Sequence, residues 1–244
     1  MQNFELVAHR GYPKRYPDNS LVGIRAVLDA GARNLEIDVQ LSTSGTPWLF
    51  HDDTLGRVCG LGGRLTDLAD EGVASLRASE APRFGSRFVD EPVARLSDVA
   101  RELEGRPGIF TFVEIKPIAV EAFGAEAVVD AVAAELQGLT GRVAIISFDV
   151  TCLEAAAART PHEIGLILSS WVQLESDYAA LAPQHVFCDV EKLPRKGKLE
   201  LAASLAVYEI IVPEQALELG ERGAQYIETF AYPEMRDALD LLDE

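Results

Sequence analysis

The strongest constraint on this chain is an alternation: short β-branched or apolar runs, each followed by a longer stretch of helical spacing, eight times over. Parallel strands need long crossover connections, usually helices, so this rhythm specifies a parallel sheet covered by helices. Phe4–His9 reads as the first strand. In 19–30, Leu21, Ile24, Val27 and Leu28 fall at helical spacing before a stop at Gly31. Asn34–Leu41 is the second strand, and Pro47–His51 is its short partner across the turn Ser44-Gly45. From residue 96 the pattern is regular: helix Leu96–Leu103, strand Ile109–Lys116, helix Glu121–Leu136, strand Val143–Phe148, helix Val150–Arg159, strand Glu163–Leu168. It continues with helix Asp177–Leu181, strand His185–Asp189, helix Lys198–Ser204, strand Leu205–Val212, helix Glu214–Arg222, strand Gln225–Glu228 and helix Glu234–Leu242. Eight such steps in 244 residues are the length and rhythm of an α/β TIM barrel. An open dinucleotide-binding sheet would carry a glycine fingerprint after its first strand, and none is present. No linker or repeat divides the chain, so 1–244 is expected to form one domain. The exception to the rhythm is the insertion at about 53–95, glycine-rich, irregular and too long for an ordinary connection.

The charge narrows the partners. Asp and Glu number 39 against 22 Lys and Arg, a net charge of −17. Nucleic acid and anionic membrane surfaces both require a basic face, so neither is an expected partner, and stable membrane association is not expected. Cys59, Cys152 and Cys188 are widely spaced and form no disulfide or zinc pattern, as suits a reducing compartment. The N-terminus lacks a basic and apolar leader, and no apolar run approaches the ~20 residues of a spanning helix, so a cytoplasmic protein is expected.

Side chains two apart share a face of a strand. In the second strand Leu35, Ile37 and Val39 would face the helices, leaving Glu36, Asp38 and Gln40 to face the barrel interior. In 109–116, Glu114 and Lys116 alternate with Val113 and Ile115 in the same way. Each unpaired interior carboxylate costs about several kcal/mol unless a cation or donors neutralise it. A structural ion pair with Lys116 would relieve one of them; one divalent cation on Glu36, Asp38 and Glu114 would relieve all three. All-oxygen ligation favours Mg²⁺ or Ca²⁺ over zinc. His9 closes the first strand ahead of Arg10-Gly11, and His51 closes the following hairpin ahead of Asp52. Two histidines at strand ends beside carboxylates form a candidate acid–base pair, whereas His162 and His185 at strand beginnings read as structural. Arg10 adds a planar fork suited to phosphate, and Lys116 a second positive charge. Together these residues describe a phosphoester site. Trp171 and Phe148, just past strand ends, are candidate pocket walls.

The segments Ala8-His9-Arg10-Gly11, Pro17-Asp18-Asn19-Ser20, Leu35-Glu36-Ile37-Asp38-Val39 and Phe50-His51-Asp52 closely resemble the glycerophosphodiester phosphodiesterase family, in order and spacing. Val113-Glu114-Ile115-Lys116 and Ser147-Phe148 are similar to two of its later strands. The resemblance implies a TIM barrel with a small insertion after the second strand, and metal-dependent hydrolysis of deacylated phospholipids to glycerol 3-phosphate and an alcohol. It further implies metal ligation by Glu36, Asp38 and Glu114, catalysis by His9 and His51, and phosphate binding by Arg10 and Lys116, with Asn19 supporting the site. A related barrel chemistry, a phospholipase-D-like lyase releasing a cyclic phosphate, and a non-catalytic binding barrel are the competing expectations. Three departures stand out. Asp18 replaces the family's usual glutamate, Tyr208-Glu209-Ile210-Ile211 replaces a Trp-Thr-Val-Asn strand, and Ile227-Glu228-Thr229-Phe230 replaces its Ile-Ile-Thr-Asp ending. Glu228 is thereby an unassigned acid at a strand end, open to a cationic head group or to pairing with an arginine.

Overall fold

Strand β1 (Glu5–His9) pairs in parallel with both β2 (Asn34–Leu41) and β9 (Tyr226–Thr229), which closes the sheet on itself. Around the ring between them run β4 (Phe110–Ile115), β5 (Val143–Ser147), β6 (Glu163–Leu168), β7 (His185–Asp189) and β8 (Ser204–Tyr208). The ninth strand, β3 (Pro47–Leu49), hangs antiparallel on β2. The result is the expected closed eight-stranded parallel barrel with surrounding helices. The computed structural model describes residues 3–242.

Two apolar layers build it. Outside the strands, Leu35, Ile37 and Val39 pack with helical residues such as Ile24, Val27, Leu96 and Val99, as their alternation requires. Inside, Val7, Phe112, Ile146, Ile167, Phe187 and Ala206 fill the barrel. The floor is aromatic: His185 packs against Phe110, Phe112 and Tyr226, and its Nε2 lies 2.6 Å from Glu163 Oε2. That geometry gives His185 a structural place at the opposite end from the candidate site. His162 is likewise buried at the start of β6.

Gly165 keeps the floor closed. A Cβ at this position would lie 2.7 Å from Ile146 Cγ2 and 3.1 Å from His185 Cβ. Overpacking of this kind costs about 1–3 kcal/mol. Gly165→Ala is therefore expected to lower the urea midpoint at constant m, and an unchanged midpoint would show that the floor has room to spare.

Three elements differ from the sequence pattern. The helix expected at Glu121–Leu136 is two helices, Pro117–Phe123 and Ala125–Glu135, broken at Gly124, whose φ of 82° suits only glycine without strain. The helix expected at Lys198–Ser204 does not form. Its backbone is bonded elsewhere: Leu199 N donates to Arg222 O at 2.7 Å, and the Arg222 side chain donates to Gly197 O at 3.0 Å and to Pro194 O. The strand expected to run to Val212 ends at Tyr208.

The insertion is more ordered than its glycines imply. It folds as the short turns Gly56–Cys59, Leu65–Asp67, Asp70–Ser75 and Ala81–Phe84. These enclose a separate apolar cluster including Trp48, Phe50, Leu55, Val58, Leu65, Val73 and Val93. Helical turns of three to six residues are too short to show a period, so the pattern of apolar residues did not announce them.

Candidate active site

All the polar side chains of interest except two converge at the C-terminal ends of the barrel strands. His9, Arg10, Glu36, His51, Glu114 and Lys116 line a cavity of about 390 Å³ there, closed by Ile146, Phe148, Ile167, Phe187, Tyr208, Glu209 and Glu228. Glu36 and Asp38 point inward from β2 because they alternate with residues that pack on the helices. The register of β2 on β4 sets Asp38 beside Glu114.

One oxygen from each of Glu36, Asp38 and Glu114 fits within a sphere of mutual distances no larger than 4.8 Å. Glu36 Oε1 and Asp38 Oδ1 are buried with no hydrogen-bond partner among the described residues. The compensation present is partial. Lys116 Nζ lies 2.6 Å from Glu114 Oε1 and 3.3 Å from Asp38 Oδ1, and Arg10 Nε lies 3.1 Å from Asp38 Oδ2. Burial alone would raise the Asp38 carboxyl, but Arg10 and Lys116 outweigh it and hold the group well below the usual carboxylate range. For Glu36 the help from Arg10 is too small. Burial, together with Asp38, Glu228 and Glu114, pushes it well above that range. A carboxylate triad with unsatisfied oxygens and one strongly raised member fits a bound hard cation, which would reverse that shift.

The histidines stand on either side. His9 is buried, stacked on Phe230 with ring centroids 4.6 Å apart, and its Nε2 lies 3.6 Å from Glu36 Oε2. Burial and the neighbouring Arg10 hold it well below the ordinary histidine value, which favours the uncharged ring. His51 is half-buried, and its Nδ1 lies 2.8 Å from Asp52 Oδ1.

Two candidate residues lie elsewhere. Asn19 sits behind the triad rather than in the cavity, at a left-handed φ of 56°. Its Nδ2 donates to Asp38 Oδ2 at 2.8 Å, and its Oδ1 accepts from Asp38 N at 3.1 Å. It therefore braces Asp38 and does not line the cavity. Trp171 begins a short 3₁₀ turn after β6 and packs on the outer core, so the cavity is not walled by it. An aromatic after two serines is a weak signal, because it satisfies a barrel's rim as readily as its pocket. Phe148 does line the cavity.

Reading the sequence alone missed Tyr208 and Glu209 as site residues, although Glu209 Oε1 comes within 3.6 Å of His9 Nδ1. The signal available was the departure of Tyr208-Glu209 from the family's strand ending. Glu228 is 2% exposed, and Oε1 has no hydrogen-bond partner among the described residues. It clusters with His9 and Glu36, and no ion pair to an arginine is seen among the described residues.

Fold and site together define a (β/α)₈ barrel whose C-terminal face carries a histidine pair, two cations and two glutamates around a single cavity, with Asp38 completing a carboxylate triad behind it. The sequence model of the glycerophosphoryl diester phosphodiesterase family matches residues 9–203, and the chain belongs to that family. It is 35% identical over 96 residues to mouse glycerophosphodiester phosphodiesterase 1, a match covering 39% of this chain and 29% of the mouse protein. It is 31% identical over 163 residues to a glycerophosphodiester phosphodiesterase of Caldanaerobacter subterraneus, covering 66% of this chain and 65% of that protein. The chain thus matches less than a third of the mouse relative's length. Among solved structures, an Oleispira antarctica phosphodiesterase in complex with the product sn-glycerol-3-phosphate shares the fold, with a TM-score of 0.83, 21% identity, and coverage of 97% of this chain and 96% of that one.

Proposed function

We propose that the chain hydrolyses glycerophosphodiesters, splitting them into glycerol 3-phosphate and an alcohol. The observation that carries this reading is the convergence of His9, His51, Arg10, Lys116, Glu36 and Glu114 on one cavity, with Asp38 buried against the two glutamates. The Oleispira protein's bound product supports the same choice of product here.

Glu36, Asp38 and Glu114 would hold one divalent cation, Mg²⁺ or Ca²⁺ by the hardness of their oxygens. When bound, such an ion withdraws charge from a phosphoryl oxygen. Arg10 and Lys116 hold the remaining phosphate oxygens, the first through a guanidinium already fixed on Asp38. His9, whose uncharged form burial and Arg10 favour, takes a proton from the attacking water, whose oxygen stays on the phosphorus of the glycerol 3-phosphate formed. His51 gives a proton to the departing alkoxide, which is otherwise a poor leaving group. Phe148, Tyr208, Ile146, Ile167 and Phe187 give the cavity apolar lining suited to a carbon skeleton.

The test is turnover of a panel of glycerophosphodiesters carrying choline, ethanolamine, inositol and glycerol heads, with and without chelator. Glycerol 3-phosphate is the expected phosphorus product. A stable cyclic phosphate would instead assign the lyase chemistry, and tight binding of the panel with no turnover would assign a non-catalytic barrel.

A further inference from the structure

The insertion sends one side chain back to the site. Arg57, on the turn Gly56–Cys59, grips Asp52 through two hydrogen bonds, Nε to Oδ2 at 2.7 Å and Nη2 to Oδ1 at 2.9 Å. Asp52 Oδ1 in turn lies 2.8 Å from His51 Nδ1. The remaining nitrogen, Arg57 Nη1, lies 3.0 Å from Asp18 Oδ2 and 3.4 Å from Glu80 Oε2. Glu80 is buried and accepts from Asp18 N at 2.6 Å, so the far end of the guanidinium is anchored in the fold. The backbone beneath is fixed as well: Gln40 Nε2 donates to Asp52 O at 2.9 Å and to Phe50 O at 3.2 Å.

His51 needs such a support. It follows a three-residue strand, and its side chain is 31% exposed. Without a partner the ring is free to sample several rotamers, few of which aim a nitrogen at the phosphate. A bidentate arginine fixes the plane of a carboxylate, and a fixed carboxylate bonded to Nδ1 fixes the imidazole. The nitrogen left for the cavity is Nε2.

We propose that Arg57 is a positioning residue that acts through Asp52 to aim His51 Nε2 at the leaving oxygen. As the P–O bond breaks, its electron pair passes to that oxygen, which takes the Nε2 proton. This assignment rests on the hydrolase reading above.

The experiment compares two substrates with the same glycerophosphoryl part, one leaving as choline and one as p-nitrophenolate, in the parent protein, Arg57→Ala and Arg57→Lys. An alkoxide must be protonated as it leaves, whereas nitrophenolate departs unprotonated. Arg57→Ala is expected to lower kcat on the choline ester roughly tenfold to a hundredfold, with KM little changed, and to leave the nitrophenyl ester nearly unaffected. Millimolar guanidinium is expected to restore part of the loss. Arg57→Lys, a single point charge in place of a fork, is expected to fall between, and it carries the test if the alanine variant does not fold. Equal losses on both esters would overturn the assignment and leave Arg57 as a brace for the insertion. So would no loss on either. A parent protein inactive on both esters would overturn the hydrolase reading itself, and this assignment with it.

Discussion

Alanine at His9, or separately at His51, is expected to lower kcat on a glycerophosphodiester by roughly 10²–10⁴-fold, with the fold retained. Neither ring is part of the apolar framework; both line the cavity. The two variants differ in what else they change. His9 sits where burial and Arg10 favour its uncharged form, and a bound cation would push it further the same way. A base whose pKa is lowered stays competent until the pH falls well below 6.5, the ordinary value. The acidic limb of the kcat/KM profile is therefore expected to lie below that point and to disappear in His9→Ala. A limb above pH 6.5 that survives the substitution would remove His9 as the base. Near-normal rates in either purified variant would remove the pair altogether.

Stripping the protein with chelator is expected to abolish turnover, and Mg²⁺ or Ca²⁺ is expected to restore it. The same cation should raise Tm, because a ligand bound only by the native state stabilises it, by about 2.7 kcal/mol at a hundredfold excess over Kd. Glu36→Gln is the sharper probe. Glu36 makes no contact with Lys116 and only a 3.2 Å hydrogen bond from Arg10 N, so the amide preserves shape while removing one ligand charge. Calorimetry is expected to show cation binding lost in Glu36→Gln, while the apo protein is no less stable than its parent, since burial and the neighbouring acids already disfavour the charged form that the amide removes. If chelation changes neither rate nor Tm, the three carboxylates are a structural cluster around Arg10 and Lys116. That outcome would return the triad to the bland role an ion pair can fill.

The depth at which the acids lie also qualifies the net charge of −17. Glu36, Asp38, Glu114 and Glu228 are buried, so part of that charge never faces bulk solvent. A small anionic diester meets Arg10, Lys116 and the histidines at close range, where local charges outweigh the distant surface.

Much of this molecule was legible before its coordinates. The rhythm of strand and helix determined a barrel, because parallel strands buried on both faces admit few other closures. The two-residue period of β2 and β4 determined which side chains point inward, since a strand has only two faces. The order and spacing of the histidine, arginine and carboxylate segments determined the family. Where local pattern was weak, sequence reading failed. The segment 198–204 looked helical but is held by bonds to Arg222 from a helix yet to come in the chain. Trp171 was expected as a pocket wall and lies partly buried against the outer core, outside the cavity lining. What only the tertiary structure decided is which distant residues meet: Tyr208 and Glu209 beside His9, Glu228 beside Glu36, and Arg57 clamping Asp52 from within an irregular insertion. Periodicity is a property of neighbours along the chain and reports only a residue's face. Contact between strands eight steps apart depends on register and closure, which are settled by packing the whole barrel at once.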